Sequence, residues 1–232
     1  MVKTYSWIGV FRIYSLERGC VMFKDRQEAG EKLARELAGK NISDGVIMAI
    51  PRGGVVLAAV LAKNLKLPVD VIIPRKIGAP FNPEMAVGAV TQDGAVIYDH
   101  NILGLLGLRE DDLQSTVEEQ IKEIERRMMH YRGSTDYPNY TGKEIILVDD
   151  GVATGSTTIA AIKSLYNMFE PKRLILAVPV GPPEVMNKLK KEVDETICLI
   201  EPEFFNAVGQ FYQNFEQVED EEVIQLLKQC GQ

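Results

Sequence analysis

The chain has 232 residues, 46% of them hydrophobic, and a formal net charge of −7. That length fits one domain, or one domain with an elaboration, and the apolar fraction supports a buried core. The acidic balance argues against a nucleic-acid surface as the main business, and no apolar run approaches the length of a membrane span.

Taken from the N-terminus, residues 1–21 carry Trp7, Ile8, Val10, Phe11, Ile13 and Tyr14 without a long apolar h-region, so no signal peptide is expected. The segment reads as an extension outside the core fold, with an added edge strand as the alternative. Residues 22–232 then form the main domain. Gln27–Leu37 has helical spacing, with Ala29, Leu33, Ala34 and Leu37 on one face. Val46–Ile50 is a short apolar strand broken by Pro51-Arg52-Gly53-Gly54, and Val55–Leu65 is a helix. Val69–Pro74 is the next strand. Residues 77–86, with Gly78, Pro80, Asn82 and Pro83, read as a loop. Val87–Val90 and Ala95–Tyr98 flank Gln92-Asp93-Gly94 as a hairpin.

A helical insertion is expected over about 100–140. Its main helix spans 110–131, where Leu113, Val117, Ile121, Ile124, Met128 and Tyr131 form a narrow apolar stripe. The stripe is expected to pack on the domain. Gly133–Gly142 is a polar connection. Glu144–Val148 is a strand and Ser156–Met168 a helix. Leu174–Val180 is a strand, Glu184–Glu192 a helix and Thr196–Ile200 a strand. Strands alternating with helices predict an α/β fold: a mainly parallel twisted sheet flanked by helices. Segments 51–54, 75–76 and 149–157 all follow strands, so they are expected at one edge, where such sheets bind ligands.

The most informative stretch is Ile-Ile-Leu-Val-Asp-Asp-Gly-Val-Ala-Thr-Gly-Ser-Thr at 145–157. An apolar strand ends on two carboxylates, Asp149 and Asp150. Neighbouring residues on a strand point to opposite sides, so both can serve one ligand only if the chain turns, which Gly151 eases. Ala153, Thr154, Gly155, Ser156 and Thr157 then open a helix. They offer backbone N–H groups, hydroxyls and the positive end of a helix dipole. A phosphate beside vicinal hydroxyls, as in ribose 5-phosphate, suits this arrangement. The loop lacks the Gly-Lys-Ser/Thr ending of a P-loop and the Gly-x-Gly-x-x-Gly of a dinucleotide site. In Pro51-Arg52-Gly53-Gly54, two glycines allow close approach of an anion to the backbone, and Arg52 adds a fork of donors. Cys20, Cys198 and Cys230 are odd in number and show no metal-ligand spacing, which points to a reducing cytoplasm. His100 and His130 show no partner spacing.

Residues 148–157 closely resemble the signature of type I phosphoribosyltransferases, which bind 5-phosphoribosyl 1-pyrophosphate (PRPP). From about Met22 onward the chain is similar to the bacterial and archaeal branch described only as predicted phosphoribosyltransferases. The resemblance implies the type I phosphoribosyltransferase fold with a small hood, here about 197–232. It implies an Mg²⁺-dependent glycosyl transfer in nucleotide salvage, with a nucleobase as acceptor, and dimers are common among relatives. By the resemblance Asp149 and Asp150 hold the ribose hydroxyls and meet Mg²⁺ indirectly, through those hydroxyls or water. Ala153 to Thr157 hold the 5-phosphate. Arg52, Gly53 and Gly54 match the pyrophosphate loop, with a cis peptide between Pro51 and Arg52. Arg75 and Lys76 match a basic pair that reaches the pyrophosphate.

Residues 77–84 resemble the family's closing loop, and Glu84 is its candidate general acid or base. Hypoxanthine and guanine transferases carry an Asp where this chain has Ala153, which counts against a 6-oxopurine. Phe204, Phe205, Phe211 and Tyr212 are the hood aromatics that could sandwich a base, with at least two of the phenylalanines expected in the core. The alternative function is a PRPP-binding regulator of the same fold without turnover.

Overall fold

A computed structural model describes residues 22–231. The expectation for residues 1–21 lies outside them. The chain runs α1 (Arg26–Ala38), β1 (Gly45–Ala49), α2 (Gly53–Leu65), β2 (Val69–Val71), β3 (Arg75–Ala79), β4 (Asn82–Val90), β5 (Val96–Tyr98), α3 (His100–Leu106) and α4 (Gln114–Arg132). It continues β6 (Glu144–Val148), α5 (Ser156–Phe169), β7 (Arg173–Val180), α6 (Pro183–Leu189), β8 (Glu195–Ile200) and α7 (Asp220–Gln229). Short 3-10 turns cover Glu110–Leu113 and Val208–Phe211.

Five parallel strands form the main sheet in the order β2-β1-β6-β7-β8. Every residue of β1 and β6 is buried, as near-continuous apolar runs require when helices cover both faces. Side chains alternate between the two faces. Ile47, Ala49, Ile146, Val148, Ile175 and Ala177 join a core with α1, α2, α4 and α7. Val46, Met48, Ile145, Leu147, Leu174 and Leu176 join a second core with α5 and α6. The apolar stripe of α4 packs as expected: Val117, Ile124, Met128 and Tyr131 are all buried in the first core.

Residues 77–86 are not a loop. β3 and β4 pair antiparallel, and β5 completes a separate three-stranded sheet. The glycine and prolines that suggested a loop serve a hairpin instead. Ala79 pairs with Asn82 across the turn, and the register shifts on both sides of Gly78. A Cβ on Gly78 would also collide with the backbone of Pro83. The second hairpin forms at the expected place, with Gly94 at φ +77°.

β8 belongs to the main sheet, so the segment set apart from it starts at Glu201. That segment returns to the beginning of the domain. Phe23 N–H donates to Phe211 O at 2.8 Å, and Gln213 N–H donates to Phe23 O at 2.8 Å. α7 then packs on α2 and α4.

Candidate active site

β1 and β6 are neighbours, and Ala49 pairs with Val148. The two chain segments that leave them therefore emerge side by side. Ile50 N–H donates to Val148 O at 2.9 Å, extending the ladder one step past β1. The peptide between Pro51 and Arg52 is cis, as the resemblance implied. Gly53 and Gly54 begin α2 pressed against β6's exit: a Cβ on Gly54 would stand 2.7 Å from Val148 O, and one on Gly53 would overlap Asp150 Oδ2. Only glycine fits at these two positions without displacing the acidic pair.

Asp149 and Asp150 are both partly buried. Asp150 N–H donates to Asp149 Oδ1 at 2.8 Å, which draws the two residues into one turn. Burial, together with the neighbouring Asp150 charge, pushes the Asp149 carboxyl well above the ordinary carboxylate range. Asp150 Oδ2 accepts a 2.7 Å hydrogen bond from Arg26 Nε. Its carbonyl accepts from the Tyr212 hydroxyl at 2.6 Å. A Cβ on Gly151 would meet Val208 at 2.5 Å, so the hood closes directly over the turn.

Ala153 and Thr154 are exposed, and Ser156 and Thr157 are half-buried at the start of α5. Gly155 is the N-cap at φ +80°, and it has no side chain to satisfy the first N–H groups of the helix. Those donors face the loop, and the helix dipole favours an anion there. A cleft of about 530 Å³ opens on Ala153 and Thr154. Pro182, Pro183 and Glu184 after β7 wall one side; Pro202, Glu203, Phe205 and Asn206 after β8 wall the other.

Of the hood phenylalanines only Phe211 is core. Phe205 is half-buried and stacks on Phe211 at 5.6 Å, whereas Phe204 is 79% exposed. The expectation of two core phenylalanines is corrected: Phe211 takes the buried place, and Phe205 packs over it with its other side lining the cleft.

The basic residues are tied up in different ways. Arg52 Nη1 lies 3.6 Å from Asp220 Oδ1 of α7. Asp220 also accepts from the Tyr131 hydroxyl at 2.6 Å, and Tyr131 and Arg52 together hold its carboxyl below its ordinary value. Burial and Asp220 push the Tyr131 hydroxyl up to about 12. Arg75 starts the small sheet, not the main one, and its Nε donates to Gln120 Oε1 of α4 at 2.9 Å. Burial and nearby Arg127 lower its pKa. Lys76 is exposed on the other side of β3. Glu84 lies in β4, on a strand where a free loop was expected. Among the described residues no group of three His, Cys, Asp or Glu could hold a metal ion. No helix among them is long and apolar enough to cross a membrane.

No spacing or motif pointed to Asp220, and Tyr212, expected as a hood aromatic, is found with its hydroxyl on the Asp150 carbonyl; both arrive from distant segments. Arg26 left a faint signal. It is the first residue of a helix, where the dipole disfavours a cation, so its position calls for an anionic partner.

An uncapped helix terminus and paired carboxylates lie together at the carboxyl edge of a parallel sheet, the edge at which α/β proteins of this class place their ligands. The chain belongs to the family described as "Phosphoribosyl transferase domain", which matches residues 22–216. Two Mycobacterium tuberculosis sequences, from strains CDC 1551 and H37Rv and provisionally named phosphoribosyl transferases, are 37% identical over 206 residues. The match covers 89% of this chain and 46% of theirs, so the chain spans about half the length of these relatives. "Bifunctional protein pyrR" of Enterococcus faecalis is 30% identical over 142 residues, 61% of this chain and 59% of that protein. The crystal structure of TT1426 from Thermus thermophilus superposes with a TM-score of 0.76 at 36% identity, covering 90% of this chain and 99% of that one.

Proposed function

We propose that the protein transfers the 5-phosphoribosyl group of PRPP to a nucleobase nitrogen, releasing pyrophosphate. The observation that carries this is the contact between the glycines after β1 and the acids after β6, beside the uncapped start of α5. It supports a reading in which a sugar-diol site lies between two anion sites, the order of groups in PRPP.

In this reading Asp149 and Asp150 accept hydrogen bonds from the ribose hydroxyls. Ala153 to Thr157 hold the 5-phosphate through backbone N–H groups and hydroxyls. Arg52, Gly53 and Gly54 receive the pyrophosphate, and Arg52 exchanges Asp220 for it. Arg75 and Lys76 would join them only if Arg75 leaves Gln120. The acceptor occupies the cleft against Phe205. Its nitrogen forms a bond to the anomeric carbon while the carbon–oxygen bond to pyrophosphate breaks, and the electron pair leaves with the pyrophosphate. Charge builds on the sugar as in other glycosyl transfers, so positioning and fixed charge supply most of the rate. Glu84 is the candidate to move the acceptor's proton.

The donor set suits Mg²⁺ carried chiefly by ligand and water oxygens, since two neighbouring carboxylates are the acids at hand, one of them paired with Arg26. When bound, the ion would offset the negative charge of pyrophosphate. Ala153 leaves no acid for a 6-oxopurine proton, which directs the search for acceptors elsewhere.

The test is to incubate the protein with PRPP, Mg²⁺ and a panel of nucleobases and follow pyrophosphate. Release with one of them, lost in Asp150→Asn with the fold intact, supports the proposal. PRPP binding without release from any base assigns a PRPP-binding protein instead. No PRPP binding at all rejects the site.

A further inference from the structure

Arg26 is engaged three ways at once. Its Nε donates to Asp150 Oδ2 at 2.7 Å, its Nη1 donates to Glu216 O at 2.7 Å, and its guanidinium carbon lies 3.8 Å from the centre of the Phe215 ring. The Arg26 and Asp150 side chains are 11% and 15% exposed, so the pair is shielded from solvent. Shielding strengthens it relative to a surface pair, and the Phe215 ring beneath the guanidinium adds a cation–π contact. The same carboxylate oxygen also lies against Gly53, where no side chain fits. The backbone of the same residue is held separately, by the Tyr212 hydroxyl.

We propose that Arg26 is a positioning residue for the sugar site: it fixes the Asp150 carboxylate between α1 and Gly53 and ties that orientation to the hood through Phe215 and Glu216. The inference rests on the function proposed above. Arg26, Gly53 and the Tyr212 hydroxyl, all from outside the sheet, converge on this one acid. The direction of the cost agrees. A cation on the first turn of α1 works against the helix dipole, and the Asp150 carboxylate offsets that penalty. Asp25 caps the same helix by accepting from Glu28 N–H at 2.9 Å, so α1 does not depend on Arg26 to start.

The experiment uses the full chain and titrates it with PRPP and Mg²⁺ by calorimetry, alongside steady-state kinetics with whichever acceptor the panel identifies. Arg26→Gln is expected to weaken PRPP binding by about 100-fold, the scale of a small misplacement of a binding group. The KM for PRPP should rise while the KM for the acceptor stays put, a split that general loss of structure would not produce. Arg26→Lys, which can still pair with the carboxylate, should recover part of the affinity. A folded Arg26→Gln protein that binds PRPP within two-fold of the unaltered chain overturns the proposal. If that variant does not fold, Phe215→Leu replaces it, because it removes the stacked ring and keeps the ion pair. Weaker PRPP binding then supports the proposal, and unchanged binding overturns it. If the unaltered chain fails to bind PRPP, the functional reading falls first, and that outcome is distinct from either result with the variants.

Discussion

Gly53 and Asp150 meet across the ends of neighbouring strands, so closely that any Cβ on Gly53 would overlap Oδ2 and come within 3.0 Å of Arg26 Nε. A single methyl group at this point must turn the carboxylate out of place. Gly53→Ala is therefore expected to cost about 100-fold in PRPP affinity, measured by calorimetric titration. Gly39→Ala serves as the control. It has nothing within 4 Å and a φ of −81°, so affinity should not move.

Asp70 is fully buried and held by Arg132 through two hydrogen bonds, 2.6 and 3.0 Å, with the Tyr140 hydroxyl at 3.0 Å. Arg132 in turn stacks on Tyr137, whose hydroxyl donates to Val71 O at 2.8 Å. This cluster fastens the end of α4 to the edge strand β2. Asp70→Ala strands a guanidinium in the interior and should destabilise the protein by about 3–5 kcal/mol. Tyr140→Phe removes one hydrogen bond and should cost about 1 kcal/mol. Urea midpoints at constant slope check both.

Glu123 accepts from Arg126 at 2.7 and 3.0 Å and from Arg127 at 2.7 Å, and this pairing holds its carboxyl down to about 2 from the ordinary 4.5. A depressed folded-state value means that the contribution is complete above the unfolded value and fades as the pH falls toward 2. The stability gap between the unaltered chain and Glu123→Gln should therefore narrow over that acid window in thermal melts. The gap will be small, because Arg126 is 55% exposed and solvent screens the pair.

Burial pushes the Cys198 thiol up to about 12, and its Sγ lies 3.3 Å from Ile200 O. The thiolate is then scarce at neutral pH. In a Cys20→Ser, Cys230→Ser background, a disulfide reagent should label the native protein slowly and the urea-unfolded protein at once. Rapid labelling of the native form would contradict the packing of β8.

The main sheet was legible because its strands are largely apolar on both faces and are broken within a few residues by charge, glycine or proline. Glu144–Val148 matched residue for residue, since Val148 is followed by two acids. The β3–β4 hairpin was not legible, because Gly78 and Pro83 carry the signals of a loop whether they break a strand or let one bend. α7 escaped notice behind the aromatics that precede it. The anion loops and the acidic pair were visible as local strings. What they touch was not: Arg26 lies 124 residues from Asp150 in sequence, and no spacing rule spans such a gap. Arg75 shows the converse, a basic residue in the expected place whose side chain turns to Gln120 on an inserted helix.

Phe205 faces the cleft and stacks on Phe211, whose neighbour Tyr212 grips the carbonyl of Asp150. The ring at the cleft is thus connected to the main chain of Asp150, whereas Arg26 holds its side chain. The wall of the cleft and the orientation of the carboxylate are set by different hydrogen bonds, so a change confined to the carboxylate leaves the wall in place.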